Sequence, residues 1–282
     1  MTSAPRACIM GHPVTQSRSP MLHGYWLKTL GIDGAYERAD LLPEQFPVFF
    51  RNLSSHGFVG GNITKPYKEL VFHLVDAHDS DATAVGAVNT VWFENGRLIG
   101  GNTDASGFIS HLDDTAPGWD RPSQPAVVLG AGGAARAVIH ALLGRNRDVV
   151  LVNRTITRAQ QLAVHFGPRV SARSLAELGN LLARSALLVN TSALGAIGQP
   201  SLDIDLTPLP SDAVVYDINY VPLETDLLKA ARNRGLRTVD GLGMLLHQAV
   251  PAFAKWFGVV PRVTAELRSL LETDIRAQLR ES

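Results

Sequence analysis

The chain has 282 residues, 45% of them hydrophobic and 18% charged, with 26 basic residues balancing 26 acidic ones. That is the make-up of one large or two ordinary globular domains around a sizeable core, with no electrostatic footprint for nucleic acid or a membrane surface. The single cysteine, Cys8, excludes an internal disulfide framework and a cysteine-based metal cluster, and the opening MTSAPRACIMGHP, broken by Gly11 and Pro13, excludes a secretion signal or spanning helix, so a cytoplasmic location is expected.

Up to residue 105, strand-like runs at 6–11, 34–39, 57–62, 88–93 and 96–100 alternate with helix-like runs at 19–31, 43–55 and 66–76. That order predicts a mixed α/β domain. Cys8 falls in the first strand pattern as a small core residue. The segment GNITKPYK, Gly61 to Lys68, follows a short strand and leads into a helix with Pro66 as its expected first residue. Lys68, in that first turn, is a candidate general base or a hydrogen-bonding cation at a reacting hydroxyl. Asp113 to Pro125, with three prolines and Gly118, reads as a surface connection after a helix near 105–112.

From residue 125 the alternation resumes, with strands near 126–130, 148–153, 186–190, 213–218 and 236–239 and helices between them. This predicts a doubly wound, Rossmann-type domain. Its first unit, AVVLGAGGAARAVIHALLGRNRDVVLVNRT, runs strand, glycine turn, helix, strand. Gly130, Ala131, Gly132, Gly133 and Ala134 would form the turn that presents backbone N–H groups and a helix N-terminus to a pyrophosphate. An NAD-preferring site carries a carboxylate about 20 residues further on, against the ribose. No acid stands there; Arg154 does, 24 residues after Gly130, with Arg158 one helical turn beyond. A guanidinium at that strand end suits a 2′-phosphate, so the expected cofactor is NADP(H). After Gly241 the chain reads as helical through Leu242–Phe257 and residues 262–280. The expected domains are therefore 1–105 with the C-terminal helices from about 245 to 282, and 106–244 between them. The nine histidines show no metal-ligand spacing, and no metal is expected.

Seven segments occur in an order that resembles the shikimate dehydrogenase family: Ser17-Arg18-Ser19-Pro20, Gly61 to Lys68, Gly86-Ala87-Val88-Asn89-Thr90, Gly101-Asn102-Thr103-Asp104, the glycine turn, Asp217-Ile218-Asn219-Tyr220, and Asp240 to Gln248. The resemblance runs from about Ile9 to Phe257. It implies reversible, NADP-dependent reduction of 3-dehydroshikimate to shikimate in aromatic amino-acid (chorismate) biosynthesis, by a monomer or homodimer. It further implies that Ser17 and Ser19 bind the substrate carboxylate, with Tyr220 as a further contact. Asn62, Thr64, Asn89 and Gln248 would hold the ring hydroxyls, and Lys68 and Asp104 would form the catalytic pair. On the cofactor side, Asn153, Arg154, Thr155 and Arg158 match the adenosine contacts, while Thr191 to Ala196 and Gly241 to Met244 lie where the family lines the nicotinamide. Gln16, Lys65, Tyr67 and Ala196 depart from the commoner residues, and Asn-x-Thr-x-Pro-Tyr-Lys is similar to quinate/shikimate dehydrogenases. A paralogue acting on quinate or an aminated shikimate stays open at this point, as does a non-catalytic ligand and nucleotide sensor.

Overall fold

The computed structural model of the protein describes residues 4–121 and 123–281, so Met1–Ser3 of the opening segment and Pro122 of the connection lie outside it. In the first half, β1 (Arg6–Gly11), α1 (Ser19–Thr29), β2 (Ala35–Asp40), α2 (Phe46–Arg51), β3 (Phe58–Ile63), α3 (Lys68–Phe72), β4 (Ala77–His78), α4 (Ser80–Val85), β5 (Thr90–Glu94) and β6 (Arg97–Gly101) follow one another. They form a mixed sheet of order β2-β1-β3-β5-β6-β4. β1 runs parallel to β2 and β3, and β5 runs antiparallel to β3 and β6. One cluster packs Met10, Phe46, Phe50, Leu53, Ile63, Tyr67, Val71 and Val91; another packs Ile9, Tyr36, Trp92 and Trp256.

Several local expectations are corrected here. The runs at 43–55 and 66–76 yield helices of only 6 and 5 residues. Gln45 turns its side chain back to the Leu42 N–H at 2.9 Å, and Asn52 bonds the Val48 carbonyl at 2.8 Å, so side chains hold both ends of α2 in turn geometry. Pro66 lies in a turn, and Lys68 is the first helical residue. β4 and α4 were not anticipated, although the signal was present: Asp79 caps the Ala82 N–H at 2.6 Å and Gly86 closes the helix in the left-handed region.

The second half contains α5 (Asp104–Thr115), β7 (Ala126–Leu129), α6 (Gly133–Gly144), β8 (Val149–Val152), α7 (Ile156–Phe166), β9 (Val170–Arg173), a 3₁₀ turn Leu175–Glu177, α8 (Leu178–Leu182), β10 (Leu187–Asn190), β11 (Val214–Asp217), α9 (Asp226–Asn233) and β12 (Arg237–Val239). All six strands are parallel, in the order β9-β8-β7-β10-β11-β12. In the unit's own strand count this is 3-2-1-4-5-6, the Rossmann arrangement, whose ligand crevice lies outside the carboxyl ends of the strands where the order reverses. That switch point falls between β7 and β10. The strands AVVL, VVLV, LLVN and VVYD are near-continuous apolar runs, as a sheet covered on both faces requires. The connection after α5 is anchored rather than loose. Trp119 is 1% exposed and donates to Asp113 Oδ1 at 2.9 Å, and Arg147 bonds the carbonyls of Asp120 and Gln124.

The chain ends in α10 (Leu242–Phe257) and α11 (Ala265–Glu281). It divides into two compact units: the chain up to Thr103 with Gln248–Leu271, and Asp104–His247 with the residues from Glu272 on. α11 is thus split between them, where the sequence reading put all of it in the first domain. Among the described residues no helix is long and apolar enough to cross a membrane, and no group of three His, Cys, Asp or Glu is placed to hold a metal.

Candidate active site

In the first unit, strand ends collect most of the substrate-side residues. Asn62 stands at the end of β3 and Asn89 just before β5, while Gln248 comes from α10. All three are buried. Asn62 Nδ2 donates to the Asn89 carbonyl at 3.2 Å and to Thr90 Oγ1 at 3.1 Å. Thr90 Oγ1 donates to Asn89 Oδ1 at 2.9 Å, and the Thr103 N–H reaches the same oxygen at 2.8 Å. Asn89 Nδ2 donates to Thr103 Oγ1 at 3.0 Å, which donates to Gln248 Oε1 at 3.3 Å. Thr90 and Thr103, which stand in the quoted segments without an assigned role, are therefore the links that join the predicted residues.

Tyr36 was missed as well. Its hydroxyl donates to Asn62 Oδ1 at 2.6 Å and lies beside the Ser19 side chain. Both hydrogens of the Asn62 amide are thus taken and one lone pair of its oxygen is filled, so Asn62 can offer an incoming hydroxyl only an acceptor. Behind Tyr36 sits His23, fully buried, stacked on Tyr36 at 4.1 Å and ringed by Trp26, Phe253 and Trp256. Burial pushes its pKa down to about 3. Neither ring nitrogen has a well-formed hydrogen bond, and the nearby Asn62 amide offsets only part of the desolvation.

Ser17 Oγ accepts from the Ser19 N–H at 3.3 Å at the start of α1, and the Ser17 carbonyl is held by Arg38 at 2.7 Å. Thr64 follows β3, held by its N–H to the Met10 carbonyl at 2.9 Å. Lys68 is half-buried, and its carbonyl takes the Val88 N–H at 2.9 Å, which places its backbone next to the segment leading into Asn89. Tyr67 turns away into the core, bonding the Leu41 carbonyl at 2.6 Å and stacking on Phe46 at 3.9 Å. Asp104 is buried as the first residue of α5, and it and Tyr220 fall in the second unit.

The second unit holds a cavity of about 620 Å³ at the β7–β10 switch point, within the usual size range of ligand sites. Gly130, Ala131, Gly132, Asn153, Arg154, Arg158 and Thr191 line it, as do Leu175, Leu178, Leu202 and Ile204. The four apolar residues were not foreseen. Leu202 and Ile204 alternate with aspartates, a period-two pattern that forms no strand here. Gly133, Ala134, Thr155, Gly241 and Met244 are not in the lining: the first two open α6, Thr155 precedes α7, Gly241 precedes α10 and Met244 lies in its first turn.

Three features suit a dinucleotide. The α6 N-terminus has no side-chain cap, which leaves its first N–H groups for an anion. Gly130 has φ +106°, and a Cβ there would lie 2.8 Å from Thr191 Oγ1, so only glycine lets the turn pass this close. Among the described residues no acidic side chain lines the cavity, while Arg154 and Arg158 do.

Known proteins match this chain along its length. Family models described as the shikimate dehydrogenase substrate binding domain, shikimate / quinate 5-dehydrogenase, and the shikimate 5′-dehydrogenase C-terminal domain cover residues 9–91, 119–201 and 241–265. The shikimate dehydrogenase (NADP(+)) of Azorhizobium caulinodans is 55% identical over 97% of this chain and 98% of its own. That of Mesorhizobium japonicum is 56% identical over 96% of each. Among solved structures, shikimate 5-dehydrogenase from Thermus thermophilus in complex with NADP(H) and shikimate is 36% identical, with a TM-score of 0.84 over 97% of this chain and 99% of that one. Quinate dehydrogenase from Corynebacterium glutamicum in complex with NAD is 32% identical, with a TM-score of 0.88 over 96% and 99%.

Proposed function

Because the chain belongs to the shikimate dehydrogenase family, we propose that it is an NADP-dependent oxidoreductase that reversibly reduces 3-dehydroshikimate to shikimate in aromatic amino-acid biosynthesis. The observation that carries this reading is the agreement of two independent features: the linked Asn62–Asn89–Gln248 cluster, suited to a polyhydroxylated ring, and the acid-free cavity with Arg154 and Arg158, suited to a 2′-phosphate. The first unit, with Ser17 and Ser19 for the carboxylate, is the substrate domain, and the second is the NADP domain. Tyr220 adds a contact to the carboxylate end.

NADPH supplies the hydride when bound. The protein's own residues hold the ring and manage the proton. Asn62 accepts from a ring hydroxyl, and Thr64, Asn89 and Gln248 complete the polar contacts. Lys68, or a water it holds, delivers a proton to the ketone oxygen as that atom becomes a hydroxyl, and Asp104 orients the lysine and the hydroxyl. In the reverse direction Lys68 takes the proton back. Help of this kind is worth on the order of 10² to 10⁴ in rate. The protein works in the cytoplasm on small molecules alone.

The test is reduced-nicotinamide formation by the purified protein with shikimate or quinate, each with NADP or NAD. Fast turnover with shikimate and NADP alone is expected. Preference for quinate or NAD would move the protein to the broader branch of the family, and ligand-induced stabilisation without turnover would mean a sensor.

A further inference from the structure

Asp217 closes β11 with its side chain fully buried, and among the described residues no cation pairs with it. A lone buried carboxylate is costly unless donors surround it. Here four do. Oδ1 accepts from Asn190 Nδ2, the Asn219 N–H and Asn219 Nδ2, each at 3.0 Å, and Oδ2 accepts from Thr225 Oγ1 at 2.7 Å. Burial pushes the carboxyl up and these bonds act against it.

The donors are also the ties of the loop after β10. Asn190 Oδ1 accepts from the Ser192 N–H at 3.0 Å and from Ser192 Oγ at 2.7 Å, while Asn190 Nδ2 reaches the Leu194 carbonyl at 3.1 Å. Asn219 Nδ2 reaches the Ser192 carbonyl at 3.0 Å and the Leu194 carbonyl at 3.1 Å. Thr191 to Leu194, which line the cavity, thus hang from Asp217 through two asparagines. The turn after β12 joins the same knot. The Gly241 N–H donates to the Asn219 carbonyl at 3.3 Å, and a Cβ on Gly241 would lie 2.0 Å from the Ile218 carbonyl oxygen, so this turn lies flat on residues 218–219. Three successive strand ends of the Rossmann sheet are therefore gathered around one carboxylate.

We propose that Asp217 is a positioning residue for hydride transfer: without touching cofactor or substrate, it fixes the 191–196 loop, Tyr220 and the turn at Gly241 relative to one another. The inference rests on the function proposed above, together with the family resemblance, which implies that residues 191–196 and 241–244 line the nicotinamide and that Tyr220 meets the substrate. A charged acceptor makes the stronger bonds, and only a carboxylate offers acceptors on both sides of the knot.

Three variants test it in the full-length enzyme. Asp217→Asn keeps the size but puts a donor where Oδ2 accepts from Thr225 and removes the charge that strengthens the other three bonds. Asn219→Ala cuts the bridge from a half-exposed position, so it reads out even where the first variant fails to fold. Thr225→Ser keeps the hydroxyl and serves as the conservative control. With NADPH and 3-dehydroshikimate, the first two should lower kcat about 10- to 100-fold, as small misplacements of reacting groups do. NADPH Kd by fluorescence titration should stay within about threefold, because Arg154 and Arg158 anchor the far end, and the isotope effect with 4-deuterated NADPH should rise as hydride transfer becomes rate-limiting. Thr225→Ser should stay within about twofold of wild type. A lowered Tm with kcat per folded enzyme unchanged would mean a purely structural role and overturn the proposal. If wild type turns over neither substrate direction, the functional reading fails by itself, and amide exchange at 191–196 then decides. Exchange about tenfold faster in Asp217→Asn supports the positioning role, and equal exchange overturns it.

Discussion

Acid should destabilise this protein through His23. The ring is fully buried among Trp26, Tyr36, Phe253 and Trp256, with no hydrogen-bond partner of good geometry on either nitrogen. Burial holds its pKa at about 3, against 6.5 for a free imidazole. The folded value lies below the unfolded one, so the unfolded chain takes up a proton that the native state excludes. Its contribution is complete above about pH 6.5 and is lost as pH falls from there toward 3. At about 1.4 kcal/mol per pH unit, lowering the pH from roughly 7.5 to 5 should remove about 2 kcal/mol. The assay is urea unfolding of wild type and His23→Phe at those two pH values and constant ionic strength. The acid-induced loss should be about 2 kcal/mol greater in wild type, and taking the difference cancels the shared titrations of Asp79, Asp217 and His247. Equal losses in the two proteins would show that His23 is solvated or hydrogen-bonded in the native state and would refute the reasoning.

Lys68→Ala should cut kcat by about 10² to 10⁴ while moving the substrate KM far less; near-full turnover in steady-state assays would remove Lys68 from the proton path. Replacing Arg154 with Ala removes a charge-assisted clamp worth ~1.5–3 kcal/mol, so kcat/KM with NADPH should fall roughly 10- to 150-fold while that with NADH barely changes. An equal loss with both cofactors would show that Arg154 does not read the 2′-phosphate. Gly130→Ala puts a methyl group 2.8 Å from Thr191 Oγ1 at a backbone φ of +106°. Strain of ~1–3 kcal/mol in the phosphate turn should weaken NADPH binding about tenfold or more in a protein that still folds; calorimetric titration giving wild-type affinity would count against the assigned turn.

What could be read directly from the sequence was written in consecutive residues. The strand-turn-helix-strand unit, the glycine demanded at position 130, the absence of an acid after β8 and the arginine standing there are local facts, because a phosphate cradle is made of neighbouring backbone groups. The doubly wound character of the second unit was legible in its regular alternation of strand and helix. Short elements were less legible. α2 was overestimated where the side chains of Gln45 and Asn52 bond backbone groups at its two ends, and the inward turn of Tyr67 depends on a partner, Phe46, from another element. Only tertiary structure could bring Tyr36 to Asn62, Thr103 to Gln248, 145 residues apart, or Asn190 to Asp217. None of these pairings has a period or a spacing to betray it. Each exists because the sheet order sets particular strand ends side by side, β1 between β2 and β3 in one unit and β10 between β7 and β11 in the other, and that order is decided by how whole elements bury their apolar faces.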